Sequence, residues 1–359
     1  MTTIFLICAA ESEADACRII DGQLDFPLTA SGVRQAETLG RYFEDKPVSA
    51  LYCSDLRRAA DTAELIQENT DCKAVHTETL REIAAGAWEG ALFGNLAYEE
   101  PRKLEAVQLF DPYWRVPDAE SVSDAAGRLR NAILSCASAH PDSTIAIVSH
   151  KYVVGALLNT LSGDSANKPA GLSPCAIAVL RSDGSELLVD QVTDGPALLR
   201  SVDPDSVPAR TVPDFDTDAC CYLLREIEYG DTFVEAIQAV WGESGEDRPF
   251  DSDILMNDAS RRTTYMGFVE QTPACFLQTG PLPGWITLLV VHPGCRNLGV
   301  GAQMIGLAAM NARSGGADRL SILLPPGNPC RSFFEHHGFV SEGFTDDGRE
   351  LLTKQLLLI

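Results

Sequence analysis

No stretch of this 359-residue chain approaches the ~20 consecutive apolar residues that a membrane-spanning helix needs. Basic residues are scarce: 28 Lys plus Arg stand against 51 Asp plus Glu, for a net charge of −23. That balance argues against nucleic acid or an anionic membrane as a partner, because both are polyanions. It would favour a cationic substrate such as an amine, although an acidic surface also serves solubility. The 11 cysteines include no C-x-x-C and no paired Cys/His ligand spacing. Reduced thiols are expected, with neither a disulfide framework nor a metal site. The opening residues, MTTIFLICAAESEAD, lack a basic leader, and their apolar run stops at acidic residues. They read as a first β-strand and not as a signal peptide, so a cytoplasmic location is expected. Internal repeats and low-complexity segments are missing as well.

What is present is an alternation of short apolar runs and amphipathic helical patterns over 1–200. The runs at Ile4–Ile7, Ala50–Ser54 and Ile145–His150 read as strands. Helices are expected after Thr29, over LRRAADTAELIQEN, over AAGRLRNAILSCASAH, and from Tyr152 through Leu161. Such alternation predicts a three-layer α/β domain with a largely parallel sheet. Residues 201–217, rich in Pro, Asp and Ser, read as a linker. A second domain, mixed α/β, is expected over 218–359, opening with the strand CYLLREIEYG and the helix DTFVEAIQAVWGES.

The most informative segment of the second domain is LLVVHPGCRNLGVGAQMIGLAAM. A strand ends at Val291, Pro293 breaks pairing, and Arg296-Asn297-Leu298-Gly299-Val300-Gly301 leads into a long helix. Glycines let the backbone turn tightly and approach a ligand closely. The free N–H groups of a helix's first turn, with its dipole, form an anion site, and Arg296 adds a charge-assisted contact. The V-x-P-x-x-R-x-x-G-x-G pattern resembles the acyl-CoA motif of the GNAT N-acetyltransferase superfamily. Downstream, Asn328-Pro-Cys-Arg-Ser-Phe-Phe-Glu-His-His-Gly338-Phe339 resembles that family's N-x-x-A-x-x-x-Y-E-x-x-G-F segment.

The resemblance implies acyl transfer from acetyl-CoA, or another acyl-CoA, to an amine on a small molecule or a protein. It places Val291, Arg296–Gly301 and Asn328 at the CoA, with Val291 offering its backbone to the pantetheine arm. A backbone N–H near a developing oxyanion is worth ~3 kcal/mol in acyl-transfer enzymes. The attacking amine must be neutral, so a base is needed. Glu270 and His292 are the candidates, each also readable as ordinary surface. The family's frequent tyrosine acid falls, counting back from Gly338-Phe339, on Phe334, which cannot donate a proton; His336 and His337 are read as exposed residues at the helix end.

In the first domain, four segments together resemble the histidine phosphatase (phosphoglycerate-mutase-like) superfamily. They are Asp25-Phe-Pro-Leu-Thr-Ala-Ser-Gly32 with Gln35-Ala36, Ser54-Asp-Leu-Arg-Arg58-Ala-Ala-Asp-Thr62-Ala63, Glu82 before Gly86-Ala-Trp88-Glu89-Gly90, and Val148-Ser149-His150. The resemblance implies a phosphate pocket around Arg58, Glu82 and His150. The family's L-x-R-H-G-E segment reads here Leu6-Ile7-Cys8-Ala9-Ala10-Glu11, and Asp15 replaces a usual asparagine. Alanine has no lone pair with which to attack phosphorus, and Cys8 does not restore the lost positive charge. Phosphatase activity is therefore expected to be absent. The residual pocket reads as a satisfied buried network or as a retained phosphate-ligand site; Cys8 as a substitute nucleophile is the weakest option. The expectation for the whole chain is an N-acyltransferase whose first domain is a scaffold or ligand sensor. The alternative is a non-catalytic protein that binds acyl-CoA or a phosphate ligand.

Overall fold

The computed structural model describes residues 1–162, 172–205, 222–226, 262–269, 272–296 and 299–356. The chain divides into two compact units. One comprises Met1–Asp15, Ile20–Ala91 and Pro101–Phe215; the other comprises Ala16–Ile19, Leu92–Glu100 and Asp216–Ile359. The helix expected over DTFVEAIQAVWGES lies outside the described residues.

The N-terminal elements run β1 (Thr2–Cys8), α1 (Glu13–Cys17), α2 (Ala30–Phe43), β2 (Ala50–Ser54), α3 (Arg57–Gln67), β3 (Ala74–Thr77), α4 (Phe93–Glu99), α5 (Pro101–Gln108), α6 (Val122–Ala139), β4 (Thr144–Ser149), α7 (Lys151–Ser162), β5 (Ile177–Ser182), β6 (Leu187–Thr193) and α8 (Gly195–Val202). Six strands form one sheet in the order β3-β2-β4-β1-β5-β6. β1 through β4 pair in parallel, whereas β5 and β6 are antiparallel. Four of the six strands thus form a parallel block, as expected of a largely parallel sheet, and the antiparallel β5 and β6 at one edge make the sheet mixed. The four residues joining β5 to β6 can only make a hairpin, which forces antiparallel pairing. The helix α8 also reaches two residues into the segment read as linker, closing at Val202.

β1 and β4 are buried along nearly their whole length, which is what cover on both faces of a sheet imposes. Ile7, Leu51, Cys53 and Val148 share one apolar cluster with Leu39 and Phe43 of α2, Ala63 and Ile66 of α3, and Leu198 and Leu199 of α8. Full burial of each large side chain there contributes roughly 1.5–3 kcal/mol.

The D-x-P-L-T-x-x-G segment has local mechanical reasons. The carboxylate of Asp25 accepts the Arg57 N–H at 2.6 Å, holding the start of α3. Thr29 is the N-cap of α2; its hydroxyl oxygen accepts the Gly32 N–H at 2.8 Å and donates to Glu11 Oε1 at 2.6 Å. Gly32 lies so near the chain after β1 that a Cβ would sit 2.0 Å from the Glu11 carbonyl oxygen.

The C-terminal elements are β7 (Tyr222–Glu226), β8 (Thr263–Val269), β9 (Thr272–Thr279), β10 (Trp285–Val291), α9 (Val300–Ser314), β11 (Arg319–Leu324), α10 (Arg331–His336), β12 (Val340–Phe344) and β13 (Glu350–Gln355). Seven strands form a sheet in the order β12-β13-β11-β10-β9-β8-β7. All pairs are antiparallel except β10 with β11. Met304, Ile305 and Ala308 of α9 are buried, as are Phe276 and Leu277 of β9 and Ile286 of β10.

A Gly32→Ala substitution is expected to lower unfolding free energy by at least about 2 kcal/mol, because the new methyl meets backbone that cannot yield. Urea denaturation beside Ser31→Ala checks this. Equal midpoints for the two variants would mean that the loop after β1 is free to move.

Candidate functional site

The chain leaving β1 cannot be solvated, so its backbone groups need protein partners. The Ala9 N–H donates to the Ser149 carbonyl at 2.9 Å, and the Ala9 carbonyl accepts from Cys175 at 3.2 Å. The Ala10 N–H donates to Thr62 Oγ1 at 3.1 Å, and the Glu11 N–H to Gln35 Oε1 at 3.0 Å. Thr62 in turn donates to the Arg58 carbonyl at 2.6 Å. The signature residues Gln35 and Thr62 therefore fix the loop on which Cys8, Ala9 and Ala10 lie.

Around that loop the structure gathers Arg58, Glu82 and His150, all three buried. Arg58, one residue into α3, donates from Nη1 to the Leu24 carbonyl and from Nη2 to the Gly22 carbonyl, both at 2.8 Å. Its Nε lies 3.1 Å from Asp21 Oδ2. Glu82 caps α7: Oε1 accepts from Val153 at 2.7 Å and from Ile83 at 2.9 Å, and Oε2 accepts from Tyr152 at 2.9 Å. Burial, reinforced by the Asp21 carboxylate, pushes the Glu82 carboxyl up to about 7. Among the described residues, neither ring nitrogen of His150 has a hydrogen-bond partner. Burial, with Arg58 and Arg128 nearby, drives its pKa well below the usual histidine range, so the ring is neutral.

Two ion pairs complete the cluster. Lys151 Nζ lies 2.5 Å from Asp15 Oδ1, and Asp15 Oδ2 accepts from Ser12 N at 2.7 Å and Ser12 Oγ at 2.8 Å. Burial alone would raise the Asp15 pKa; Lys151 and the Ser12 bonds hold it below the ordinary value. For Asp21, burial outweighs Arg58 and leaves the pKa raised. Cys8 is buried, and desolvation followed by the Glu82 charge pushes its thiol pKa far up. That environment is the reverse of what a reactive thiolate requires. Sequence reasoning missed Asp21 and Lys151. The only available signal was the position of Lys151 directly after Val148-Ser149-His150.

In the second unit, β10 and β11 pair only at Trp285 with Ser321 and at Ile286 with Ile322. A register shift follows between Ile286 and Leu288, and β10 continues paired with β9 alone. The His292 N–H donates to the Ala274 carbonyl at 2.7 Å. Alternation along a strand therefore turns the N–H and C=O of Val291 away from β9. Arg296 Nε donates to that Val291 carbonyl at 3.2 Å.

Gly299 has φ +85 and is the N-cap of α9, supplying no side-chain cap; left-handed backbone there favours glycine. A Cβ at Gly301 would meet the Phe333 ring at 2.8 Å. Val300, the first residue of the helix, is buried. Asn297, Leu298 and Glu270 lie outside the described residues. Asn328 Oδ1 accepts the Cys330 N–H at 2.8 Å, just ahead of α10. The interval from Asn328 to Phe334 is one residue shorter than the N-x-x-A-x-x-x-Y pattern allows, so the two cannot both match it.

Phe334 is buried, edge-on to Phe333 and Phe339. His337 is half-buried against Phe333, a correction to its reading as exposed, and burial lowers its pKa to about 4. His292 Nδ1 accepts the Gly294 N–H at 3.1 Å. A neutral imidazole accepting at Nδ1 carries its proton on Nε2, which leaves no lone pair for a base in this arrangement. Among the described residues, no group of three or more His, Cys, Asp or Glu is placed to hold a metal ion.

The Glu82 carboxyl titrates higher folded than unfolded, so it contributes stability below about 4.5 that is lost as pH rises through about 7. Glu82→Gln abolishes this contribution and also loses cap bonds. The variant should melt well below the intact chain at pH 5, with the gap narrowing by pH 8. A gap independent of pH would show that Glu82 is ionised throughout.

Residues 4–195 match the family model of the histidine phosphatase superfamily (branch 1), and residues 212–339 match that of the acetyltransferase (GNAT) family. A protein named probable phosphoglycerate mutase GpmB from Serratia proteamaculans is 32% identical over 163 residues, which cover 45% of this chain and 76% of that protein. Its namesake from Erwinia tasmaniensis is 34% identical over 167 residues, covering 46% and 78% respectively. Among solved structures, Bacillus stearothermophilus YhfR is similar at 26% identity and a TM-score of 0.49, covering 53% of this chain and 95% of that one. The chain therefore belongs to the histidine phosphatase superfamily, branch 1, with an acetyltransferase (GNAT) family domain behind it.

Proposed function

We propose that the chain is an acyl-CoA-dependent N-acyltransferase, its acceptor an amine on a small molecule or a protein. On the same reading its N-terminal domain holds no phosphatase activity. The observation that carries the first part is the divergence of β10 from β11 after two residue pairs, on the strand that leads to the left-handed Gly299 at the N-cap of α9. The fit to an acyl-CoA rests on shape. Gly299 and Gly301 stand where a side chain would be strained or would strike Phe333, so backbone N–H groups can approach a pyrophosphate.

Arg296, Gly299, Val300 and Gly301 would hold the diphosphate, and the outward-turned backbone of Val291 would hold the pantetheine amides. Asn297, Leu298 and Asn328 complete the proposed contact set. Acyl-CoA supplies the activated thioester carbon and a thiol leaving group. Glu270 is proposed as the group that takes the amine proton, since His292 has its lone pair engaged by Gly294. For the N-terminal domain, the support is the identity of residue 9 together with the buried, high-pKa thiol of Cys8.

One observation favours the non-catalytic alternative. Phe334 lies within an aromatic cluster, so the position of the family's tyrosine offers no proton donor.

Calorimetric titration of acetyl-CoA into the intact chain and a Gly299→Val/Gly301→Val variant tests the reading, followed by a thiol-release assay across a panel of amines. Binding on the order of micromolar, lost in the variant, with amine-dependent thiol release is the expected result. Binding without thiol release for any amine would favour the non-catalytic alternative. An intact chain that takes up no acetyl-CoA would sink the acyltransferase reading and leave only the phosphate-ligand form of the alternative. With p-nitrophenyl phosphate no turnover is expected; turnover abolished by His150→Ala would show that the first domain is a phosphatase after all.

A further inference from the structure

We propose that the phosphate pocket of the N-terminal domain is occupied by the chain's own carboxylates, Asp21 on Arg58 and Asp15 on Lys151, and so excludes phosphate esters. This is a stronger statement than the loss of a nucleophile. A pocket lacking only its histidine would still bind its ligand.

The layering of the cluster carries the inference. The side chain of Arg58 is 3% exposed, whereas Asp21 is 23%, Asp15 12% and Lys151 19% exposed. The carboxylates and the lysine therefore form the mouth, with the guanidinium beneath. Every nitrogen of Arg58 is already engaged, two by main-chain carbonyls and Nε by Asp21. Lys151, the other cation of the cluster, is paired with Asp15.

An arriving phosphomonoester brings a charge of about −1.5 to −2. It would face Asp15 and Asp21, with Glu82 behind them, and both cations it could reach already carry a carboxylate partner. Three groups could have countered that repulsion and do not. Cys8 is a buried neutral thiol. His150 is neutral and contributes no charge. Glu82, the third acid of the cluster, is held to the N-terminus of α7 and is not positioned to neutralise an anion. The carboxylates thus take the place of the phosphate charge, and the ion pairs close the network without a ligand.

The test uses the full chain and orthophosphate as the probe, titrated by calorimetry up to about 10 mM. Heat is counted only if Arg58→Met removes it, which keeps any second anion site out of the reading. The intact chain is expected to give none. Asp15→Asn, Asp21→Asn and the double variant are expected to gain binding at least about tenfold tighter than that limit. Asp190→Asn, which alters an exposed acid paired with Arg181, should gain nothing. Circular dichroism verifies folding. Should Asp21→Asn fail to fold, Asp15→Asn decides the matter alone. Arg58-dependent binding by the intact chain overturns the proposal, and so does a folded Asp15→Asn chain that takes up no phosphate.

Discussion

The backbone from Ala9 to Ser12 lies away from water and has to find its hydrogen bonds inside the protein, and the N-terminal domain is organised around meeting that need. Ser149 takes the Ala9 N–H, Thr62 takes that of Ala10, Gln35 that of Glu11, and Asp15 that of Ser12. Each partner sits on a different element, so β4, α1, α2 and α3 are tied together through one short loop. An unpaired buried amide costs on the order of 1–3 kcal/mol, which explains why these partners are retained irrespective of chemistry. The side chains of residues 8 to 10 are not part of that bonding. Their replacement leaves the loop intact.

Charge follows a similar logic. Arg58 is too deeply buried to be left unpaired, since an isolated buried cation costs several kcal/mol. Asp21 and two carbonyls meet that requirement. Glu82 serves α7 as a helix cap, a use of an acidic side chain that asks nothing of its acidity. Residues that read as catalytic remnants thus have structural employment sufficient to account for their presence.

The readable parts of the fold were those whose causes are local. Thr29 before a helix, Gly32 as a residue of its motif and Gly299 in the strand-to-helix turn were visible in the chain, whereas the approach of Gly32 to Glu11 was not. Long-range pairing was not. The ion pair of Lys151 with Asp15 spans 136 positions, and nothing in the local sequence of either residue announces the other. The early parting of β10 from β11 is a matter of register between strands separated by a helix, and was reachable only through the resemblance that has Val291 offer its backbone. The antiparallel β5–β6 hairpin was not read, and apolar periodicity would in any case report a strand without its direction. The spacing from Asn328 to Phe334 shows the limit of pattern matching: a segment can look right while its residues fall one position out of step.

The paired mouth of the N-terminal pocket bears on whether its history could run backwards. Placing a histidine at position 9 would put a nucleophile behind two carboxylates, next to a guanidinium already paired with Asp21. Placing an arginine at position 8 would set a cation where the thiol is now 1% exposed, with Lys151 already close by. No single step is rewarded, because each helps only after the others have been taken. On the proposed reading that this domain is not a phosphatase, the ion pairs of Asp15 and Asp21 act as a ratchet, making that state easier to keep than to leave.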